Sequence, residues 1–460
     1  MNPSPYSSLP PTYPFQEPPI SNPLNRRQFL RQAAATTAVA GTLSRGAWAG
    51  PASPSDKLNL AIIGSGGRGW ANMMGVATEN IAAVCDVDTN RLARAGDKFP
   101  DAKRYTDFRK LLEQEKNLDG VVVSTPDHCH APASVMAMRR GLHVYCEKPL
   151  THSVHEARVM AQVAAEHKVV TQMGTGAQSS EGHIRAVEMI RSGAIGEVRE
   201  AHVWTNRPIW PQGQALPPGE DPVPGHLDWD LWLGPASRRP FLSKYPDGPF
   251  KGKQVYHPFV WRGWWDFGTG ALGDIAPHSM NVVFWALDLG APESVEAESS
   301  PMRDGAFPSW SVIRFHFPEC PRHTAMTLVW YDGGKKPSHE VTEGKKFGDN
   351  GTLFVGAKGK LLVGQGKPFP EKTFADYEPP KPTLPRRIEI HQDWIRAIKE
   401  NDQTGCHFGY SGPMTEAYLL GNIALRTGKK ITWNPAKMQV TNCPEAQGQV
   451  CRDYRPGWTL

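Results

Sequence analysis

The stretch "LNLAIIGSGGRGW", Leu58 to Trp70, carries the residue types that hold phosphates. A short apolar run ends in Gly64-Ser65-Gly66-Gly67-Arg68-Gly69, with glycines at 64, 66 and 69. In such a turn the first glycine permits the tight bend and the second lets the backbone approach a pyrophosphate. The third lets the next helix pack close to the strand, and that helix offers free N–H groups to the phosphates. A second apolar run, "IAAVCDVD", follows at a suitable distance. Its Asp86 stands where a carboxylate accepts hydrogen bonds from an adenosine ribose. A carboxylate there repels a 2′-phosphate, so the pattern points to NAD in preference to NADP, although Arg91 can tolerate a phosphate. In purely structural terms Asp86 reads as a strand-end turn or helix cap.

The elements that must position this loop are legible downstream. "DFRKLLEQEKNLD" has an amphipathic helical pattern, "GVVVSTP" reads as a strand, "APASVMAMRRG" as a helix and "LHVYCEKPL" as another strand. The alternation predicts a doubly wound parallel sheet, with ligands at the carboxyl ends of its strands. Ser124, Thr125 and Pro126 lie at one such end, and Glu147 and Lys148 at another. "PDHCH", Pro126 to His130, contains metal-ligand types. Residues so close on one turn rarely aim three side chains at one point, and no second cluster completes a site. No metal is expected there; the predicted role, His130 included, is loop packing and contact with the cofactor.

Further along, "GALGDIAPHS" places Asp274 and His278 four residues apart, on one face of a helix. From the residues alone Asp274 reads equally as an N-cap and His278 as an interior histidine. "HVWTNRPIWPQG" begins as a strand and becomes an aromatic loop, and "YHPFVWRGWWDFGTG" adds more tryptophans. Aromatic faces pack on the C–H faces of sugar rings while Arg and Asn bind hydroxyls. Trp204, Asn206, Arg207, Trp210, Trp261 and Arg262 are therefore the candidate substrate residues, against the commoner reading of tryptophans as core. "TAMTLVWYDGGKKP" reads as a strand, "NGTLFVGAKGKLLVG" as a hairpin, and "HQDWIRAIKEND" as a helix whose His391 faces the site or simply starts the helix.

Taken in order, "AIIGSGGRG", "AAVCDVD", "VVVSTPDHCHA", "GLHVYCEKPL", "GALGDIAPHSMNVVFWALDLG" and "LLGNIALRTGKKITW" resemble the glucose-fructose oxidoreductase / inositol dehydrogenase / rhizopine-catabolism (Gfo/Idh/MocA) family. The resemblance implies an N-terminal Rossmann domain, residues 56–175. It also implies a C-terminal α/β domain with a large, mostly antiparallel open sheet, residues 176–435, followed by a tail, 436–460. It implies oxidation or reduction of sugars or cyclitols with NAD(P), and an open sheet that pairs subunits into a homo-oligomer. It carries catalytic roles onto Lys148, Asp274 and His278. His278 would take the hydroxyl proton, Lys148 would hold the alcohol oxygen, and Asp274 would orient the base or contact a hydroxyl. Both Asp274 and His278 are expected to project from the first turn of their helix, with Pro277 tolerated only in such a turn.

The 460 residues carry a net charge of +5. The first 49 hold four arginines against one glutamate, so most of that excess sits there and no basic footprint for nucleic acid remains. This segment is Pro-rich, then reads "LNRRQFLRQ", a weakly apolar run and Ala47-Trp48-Ala49, the pattern of a twin-arginine export signal. No other run is long and apolar enough to span a bilayer. The expected setting is periplasmic or otherwise extracytoplasmic, reached through the twin-arginine machinery. Seven cysteines show no regular framework. Cys85, Cys129 and Cys146 read as buried hydrophobes, and Cys443 and Cys451 are close enough in a polar tail to pair after export.

That machinery moves folded proteins, and free NAD is scarce outside the cytoplasm. The expectation is a tightly held nucleotide and a redox-neutral cycle, with a sugar or glycoside as substrate. An NAD-dependent glycosidase acting through a transient 3-keto sugar is an alternative, and a non-catalytic sugar- or nucleotide-binding protein a second one.

Overall fold

The computed structural model describes residues 57–321 and 323–460; the segment expected to be an export signal lies outside them. Six strands, β1 (Asn59–Ile63), β2 (Asn80–Cys85), β3 (Lys103–Tyr105), β4 (Gly120–Val123), β5 (His143–Glu147) and β6 (Thr171–Gly174), form a sheet ordered β3-β2-β1-β4-β5-β6. Every pairing in it is parallel. The central strand sequences "NLAII" and "GVVV" are apolar on both faces because helices cover both. Alternate residues feed opposite layers. Ala61, Ile63, Val121 and Val123 face one, and Leu60, Ile62, Val84 and Val122 the other.

The second layer contains Trp394, fully buried on the helix Ile390–Glu400. A helix placed by sequence in the second domain thus completes the first. Its His391 stacks on Tyr145 with ring centroids 4.9 Å apart.

Eight strands make the second sheet: β7 (Val198–Trp204), β8 (Ser294–Ser299), β9 (Ser311–Phe317), β10 (Met326–Tyr331), β11 (Gly351–Gly356), β12 (Lys360–Leu362), β13 (Ile431–Asn434) and β14 (Gln439–Val440). Their order is β12-β11-β7-β10-β9-β8-β13-β14, and only β7 with β10 runs parallel. The predicted hairpin is β11–β12. Helices Gly270–Ser279, Asn281–Leu287 and Phe408–Thr427 share the apolar core with one face of this sheet. Its other face carries polar pairs, among them the Glu296–His316 contact and the Glu298–Arg314 ion pair.

Residues 436–460 are an integral strap. β14 pairs with β13, and Trp458 packs on Phe108 at 5.8 Å and under the Arg109 guanidinium at 4.2 Å. Arg455 donates to the Asp230 carboxylate and to the Gly234 carbonyl. Cys443 is buried and Cys451 exposed, and the two are not bonded; Cys85, Cys129 and Cys146 are buried, as their apolar surroundings suggest.

The Pro-rich connector before Ile390 is pinned by Glu188, whose side chain is fully buried. It accepts from the backbone N–H groups of Thr383 and Leu384 and from Arg185 and Arg386. Removing that carboxylate takes the acceptor from two part-buried N–H groups and one carboxylate partner from each of Arg185 and Arg386. Glu188→Ala is expected to cost about 3 kcal/mol, read as a lower urea midpoint with an unchanged slope.

Candidate active site

The carboxyl ends of the parallel strands open into a cleft of about 700 Å³, walled on its far side by the second domain. The glycine loop forms one end. Gly64 adopts φ +89°, and a Cβ added to it would lie 2.6 Å from the Ser124 carbonyl oxygen. A Cβ at Gly69 would lie 2.0 Å from the Gly64 carbonyl oxygen, so the first helix can approach the strand only with glycine there. At Gly66 the space for a Cβ is taken by the Arg91 side chain, which also lines the cleft. Helix Arg68–Gly75 starts at Gly67, which has no side chain to cap it, so the helix N-terminus is left for a ligand.

Asp86 lines the same end. Its Oδ2 accepts from Ser65 N at 2.8 Å and Ser65 Oγ at 3.1 Å, and its Oδ1 accepts from Asp88 N at 3.0 Å. Burial raises its pKa against those hydrogen bonds. Ser65 itself is buried, acting through Asp86 rather than on the cleft. Ser124, Thr125, Pro126, Glu147 and Lys148 all line the cleft. Glu147 accepts from Arg68 Nε at 3.1 Å and from Asn72 Nδ2 at 3.0 Å. Asn72 in turn meets His391 Nε2 at 3.0 Å, so His391 supports the site from behind and does not line it. Uncapped helix, bare glycine turn and buried strand-end carboxylate fit a dinucleotide.

At the other end three charged groups converge. Lys148 Nζ donates to Asp274 Oδ1 at 2.9 Å and to the Asp274 carbonyl at 2.8 Å, and Arg262 Nε donates to the same Oδ1 at 3.1 Å. Burial works against the Asp274 charge, but the Lys148 and Arg262 cations outweigh it and hold the pKa at about 2. Asp274 is therefore ionised throughout the neutral range and acts as an anchor for two cations, not as a proton acceptor.

His278 lines the cleft one turn further on. Burial, reinforced by the Lys148 charge, lowers its pKa to about 4. Its Nδ1 is 3.2 Å from Thr175 Oγ1, and that hydroxyl donates to the Pro277 carbonyl at 3.1 Å. The Thr175 proton is thus committed, so the oxygen accepts from His278 Nδ1–H, and Nε2 carries the lone pair. A neutral imidazole with a fixed tautomer is a competent general base.

Helix Gly270–Ser279 differs from expectation in one respect. Asp274 lies in its second turn and His278 in its last, with Pro277 inside the helix. Proline removes an N–H and crowds the carbonyl four residues back. The helix ends two residues later and restarts as Asn281–Leu287, so the Pro277 carbonyl lies in a last turn and receives Thr175.

Of the candidate substrate residues, Arg207, Trp210, Trp261 and Arg262 line the cleft, and Trp204 and Asn206 do not. Trp204 ends β7, an interior strand, with its side chain in an apolar cluster with Leu353 and Phe369. It is buried, stacked on Phe347, and donates to the Gly348 carbonyl. Asn206 is exposed and accepts from Arg207 Nη1. The "PDHCH" side chains diverge. Asp127 accepts from Thr269 Oγ1 at 2.8 Å; His128 packs between the Phe267 and Trp232 carbonyls. Cys129 lies against Gly234. His130, expected at the cofactor, borders the cleft but spends both nitrogens on the Pro149 and Thr125 carbonyls, at 2.7 and 2.8 Å, so it braces two loops. Its burial opposes the charge, yet the neighbouring Cys146 and these carbonyls raise its pKa to about 9. Sequence reasoning passed over Thr175 and weighed Asp127 only as a metal ligand. Both follow carboxyl ends of parallel strands, where the ligand rule could have found them.

A Rossmann domain joined to an open-sheet domain, with a dinucleotide cradle and a Lys-Asp-His cluster in the cleft between them, defines a two-domain nicotinamide oxidoreductase fold. Residues 58–175 match the oxidoreductase family with an NAD-binding Rossmann fold, and residues 197–460 match the C-terminal alpha/beta domain of that family. The chain belongs to this Gfo/Idh/MocA oxidoreductase family. It is 28% identical over 151 residues to an inositol 2-dehydrogenase of Salmonella typhimurium, covering 32% of this chain and 45% of that protein. It is 29% identical over 200 residues to a glycosyl hydrolase family 109 protein of Stenotrophomonas maltophilia, covering 38% and 40%. The chain thus spans less than half the length of these curated relatives. Among solved structures, scyllo-inositol dehydrogenase from Lactobacillus casei, with NAD(H) and scyllo-inositol, shares the fold at TM-score 0.53 and 16% identity over 82% of this chain and 99% of that one. The WlbA dehydrogenase from Bordetella pertussis, with NADH and UDP-GlcNAcA, does so at 0.55 and 16% over 82% and 99%.

Two outcomes follow for the base. Because His278 is deprotonated above about pH 4, kcat/KM should stay level from neutrality down to about pH 5 and fall only below it; an acid limb near 6.5 would contradict the neutral, buried imidazole. Thr175→Val should lower kcat/KM by about 10- to 100-fold by freeing the ring and its tautomer, with Thr175→Ser restoring most of the activity.

Proposed function

We propose that the protein is an NAD-dependent oxidoreductase acting on a CH–OH group of a sugar, cyclitol or glycoside, with the nucleotide held through a redox-neutral cycle. The observation that carries this reading is the Lys148–Asp274–His278 cluster, placed in the same cleft as the glycine loop. When bound, NAD supplies the hydride acceptor. The loop from Gly64 to Gly69, Asp86 and the Ser124–Pro126 turn would hold it. The remaining work belongs to the chain. His278 Nε2 takes the hydroxyl proton. The Lys148 ammonium, kept in place by the Asp274 carboxylate, stabilises the alkoxide that develops. Arg262 and the Trp261 face, 4.2 Å apart, form a wall on which a sugar ring and its hydroxyls can rest.

One observation supports a glycosidase outcome. Asp127 lines the cleft, and its burial, opposed by Arg262 and by the Thr269 hydroxyl, raises its pKa to about 7. A sugar oxidised at C3 has an acidic C–H at C2, and losing that proton expels the glycosidic oxygen, which needs a proton. Asp127 is a carboxylic acid available to give it. The similarity to glycosyl hydrolase family 109 proteins points the same way.

Export by the twin-arginine route, which the leader motif supports, accounts for a nucleotide loaded before transport, and assembly through the open sheet belongs to the same reading. The test begins with protein purified without added nucleotide and then denatured. Near-stoichiometric NAD(H) in the supernatant is the expected result. An empty protein that binds NAD weakly would remove the closed cycle and leave an ordinary dehydrogenase.

A further inference from the structure

Behind the catalytic helix lies a second cavity, of about 350 Å³, between the start of helix Val154–Glu166, helix Phe408–Thr427 and the C-terminal strap. It is separate from the cleft. His152, Trp265, Phe307, Asn422, Arg426 and Arg452 line it. Three buried polar atoms in this wall have no hydrogen-bond partner: His152 Nε2, Asn422 Oδ1 and Arg452 Nη1. Each such atom is destabilising if nothing meets it.

Their roles are fixed by their other bonds. Asn422, 8% exposed, donates through Nδ2 to the Thr269 carbonyl at 2.9 Å, so its free atom is an acceptor. His152 bonds the backbone of Trp265, whose N–H is already given to Gly305, so the imidazole donates to the Trp265 carbonyl. With Nε2 unpartnered that donor is Nδ1, and Nε2 presents a lone pair. Burial pushes His152 well below its ordinary pKa, keeping it neutral. Arg452 Nε approaches Glu156 at 3.8 Å. Both Glu156 oxygens are engaged elsewhere, by Tyr454 Oη and by the N–H groups of His152 and Ser153. Arg426 stands over the Trp265 ring at 5.4 Å with no carboxylate partner among the described residues. The acid on this wall, Asp453, lies at the exposed rim.

The cavity thus offers two lone pairs, an Arg426 guanidinium with no carboxylate partner among the described residues, an Arg452 guanidinium whose carboxylate contact, Glu156, is long at 3.8 Å and shared with three other donors, and an aromatic wall. Water would satisfy the lone pairs, and an anion would meet both guanidinium groups more closely than Glu156 meets Arg452. We propose that this cavity is a second small-molecule binding site, for a polyhydroxylated carboxylate of the uronic or aldonic acid class. The carboxylate meets Arg452 and Arg426. Hydroxyls donate to His152 Nε2 and Asn422 Oδ1, and the C–H face lies on Trp265 and Phe307.

The test is calorimetric titration of the full-length protein with D-glucuronate, and with D-glucose as its uncharged counterpart. Glucuronate should bind at least tenfold more tightly than glucose. Arg452→Gln and Arg426→Ala should each weaken it at least tenfold, and Lys148→Ala should leave it unchanged. Should Arg452→Gln fail to fold, the exposed Arg426 carries the comparison alone. No glucuronate binding, equal affinity for glucose, or binding that Lys148→Ala abolishes while the arginine variants retain it would overturn the site.

Discussion

The site depends on one buried carboxylate. Asp274 brings together Lys148, from the end of a strand in the first domain, and Arg262, from a short helical turn of the second. Their side chains are only 15% and 19% exposed. Without the carboxylate, two cations would be desolvated beside one another, an arrangement that burial makes costly. With it, the cluster keeps a net positive charge at the point where an alkoxide would develop. The same surplus acts on His278, where the Lys148 charge adds to burial in keeping the imidazole neutral. A single ion pair therefore ties two domains together, sets the sign of the local field and prepares the base.

Around this anchor, backbone groups exposed by local irregularities find partners in neighbouring elements. The helix carrying Pro277 ends at Ser279, and the Pro277 carbonyl in its last turn receives the Thr175 hydroxyl that orients His278. Thr269 leaves its own helix uncapped because its hydroxyl goes to Asp127, while its carbonyl accepts from both Gly273 N and Asn422 Nδ2. Asn72, buried on the first helix, joins Glu147 to His391, which comes from a segment 319 residues away in sequence. These links are polar and long-range, and they give the two domains a common wall.

The parts of this arrangement legible in the sequence were those with local cause. The glycine turn, the alternation of apolar strands with amphipathic helices, and the hairpin "NGTLFVGAKGKLLVG" each depend on residues within a few positions of one another. The i, i+4 spacing of Asp274 and His278 is local too, and the resemblance of the surrounding motifs supplied their roles. What was not legible depends on where distant segments land. Trp204 and Trp210 sit six residues apart in one aromatic loop, yet the first turns into the core and the second into the cleft, because β7 ends between them. His130 borders the cleft as expected, but which two carbonyls its nitrogens brace depends on where two loops land. The helix at Ile390–Glu400 was readable as a helix, but nothing in its pattern says which sheet it covers.

The strap at the end of the described chain bears on how the protein reaches this state. Arg109 in the first domain donates to the Gly457 carbonyl across a sequence separation of 348 residues, and Trp458 closes over Phe108 beside it. Trp394 likewise seals the opposite face of the same sheet. The first domain therefore cannot finish folding as it leaves the ribosome. Its nucleus can form early from neighbouring strands, but both of its apolar faces wait for segments that follow it by hundreds of residues. Completion of the first domain is therefore tied to the docking of segments from beyond it.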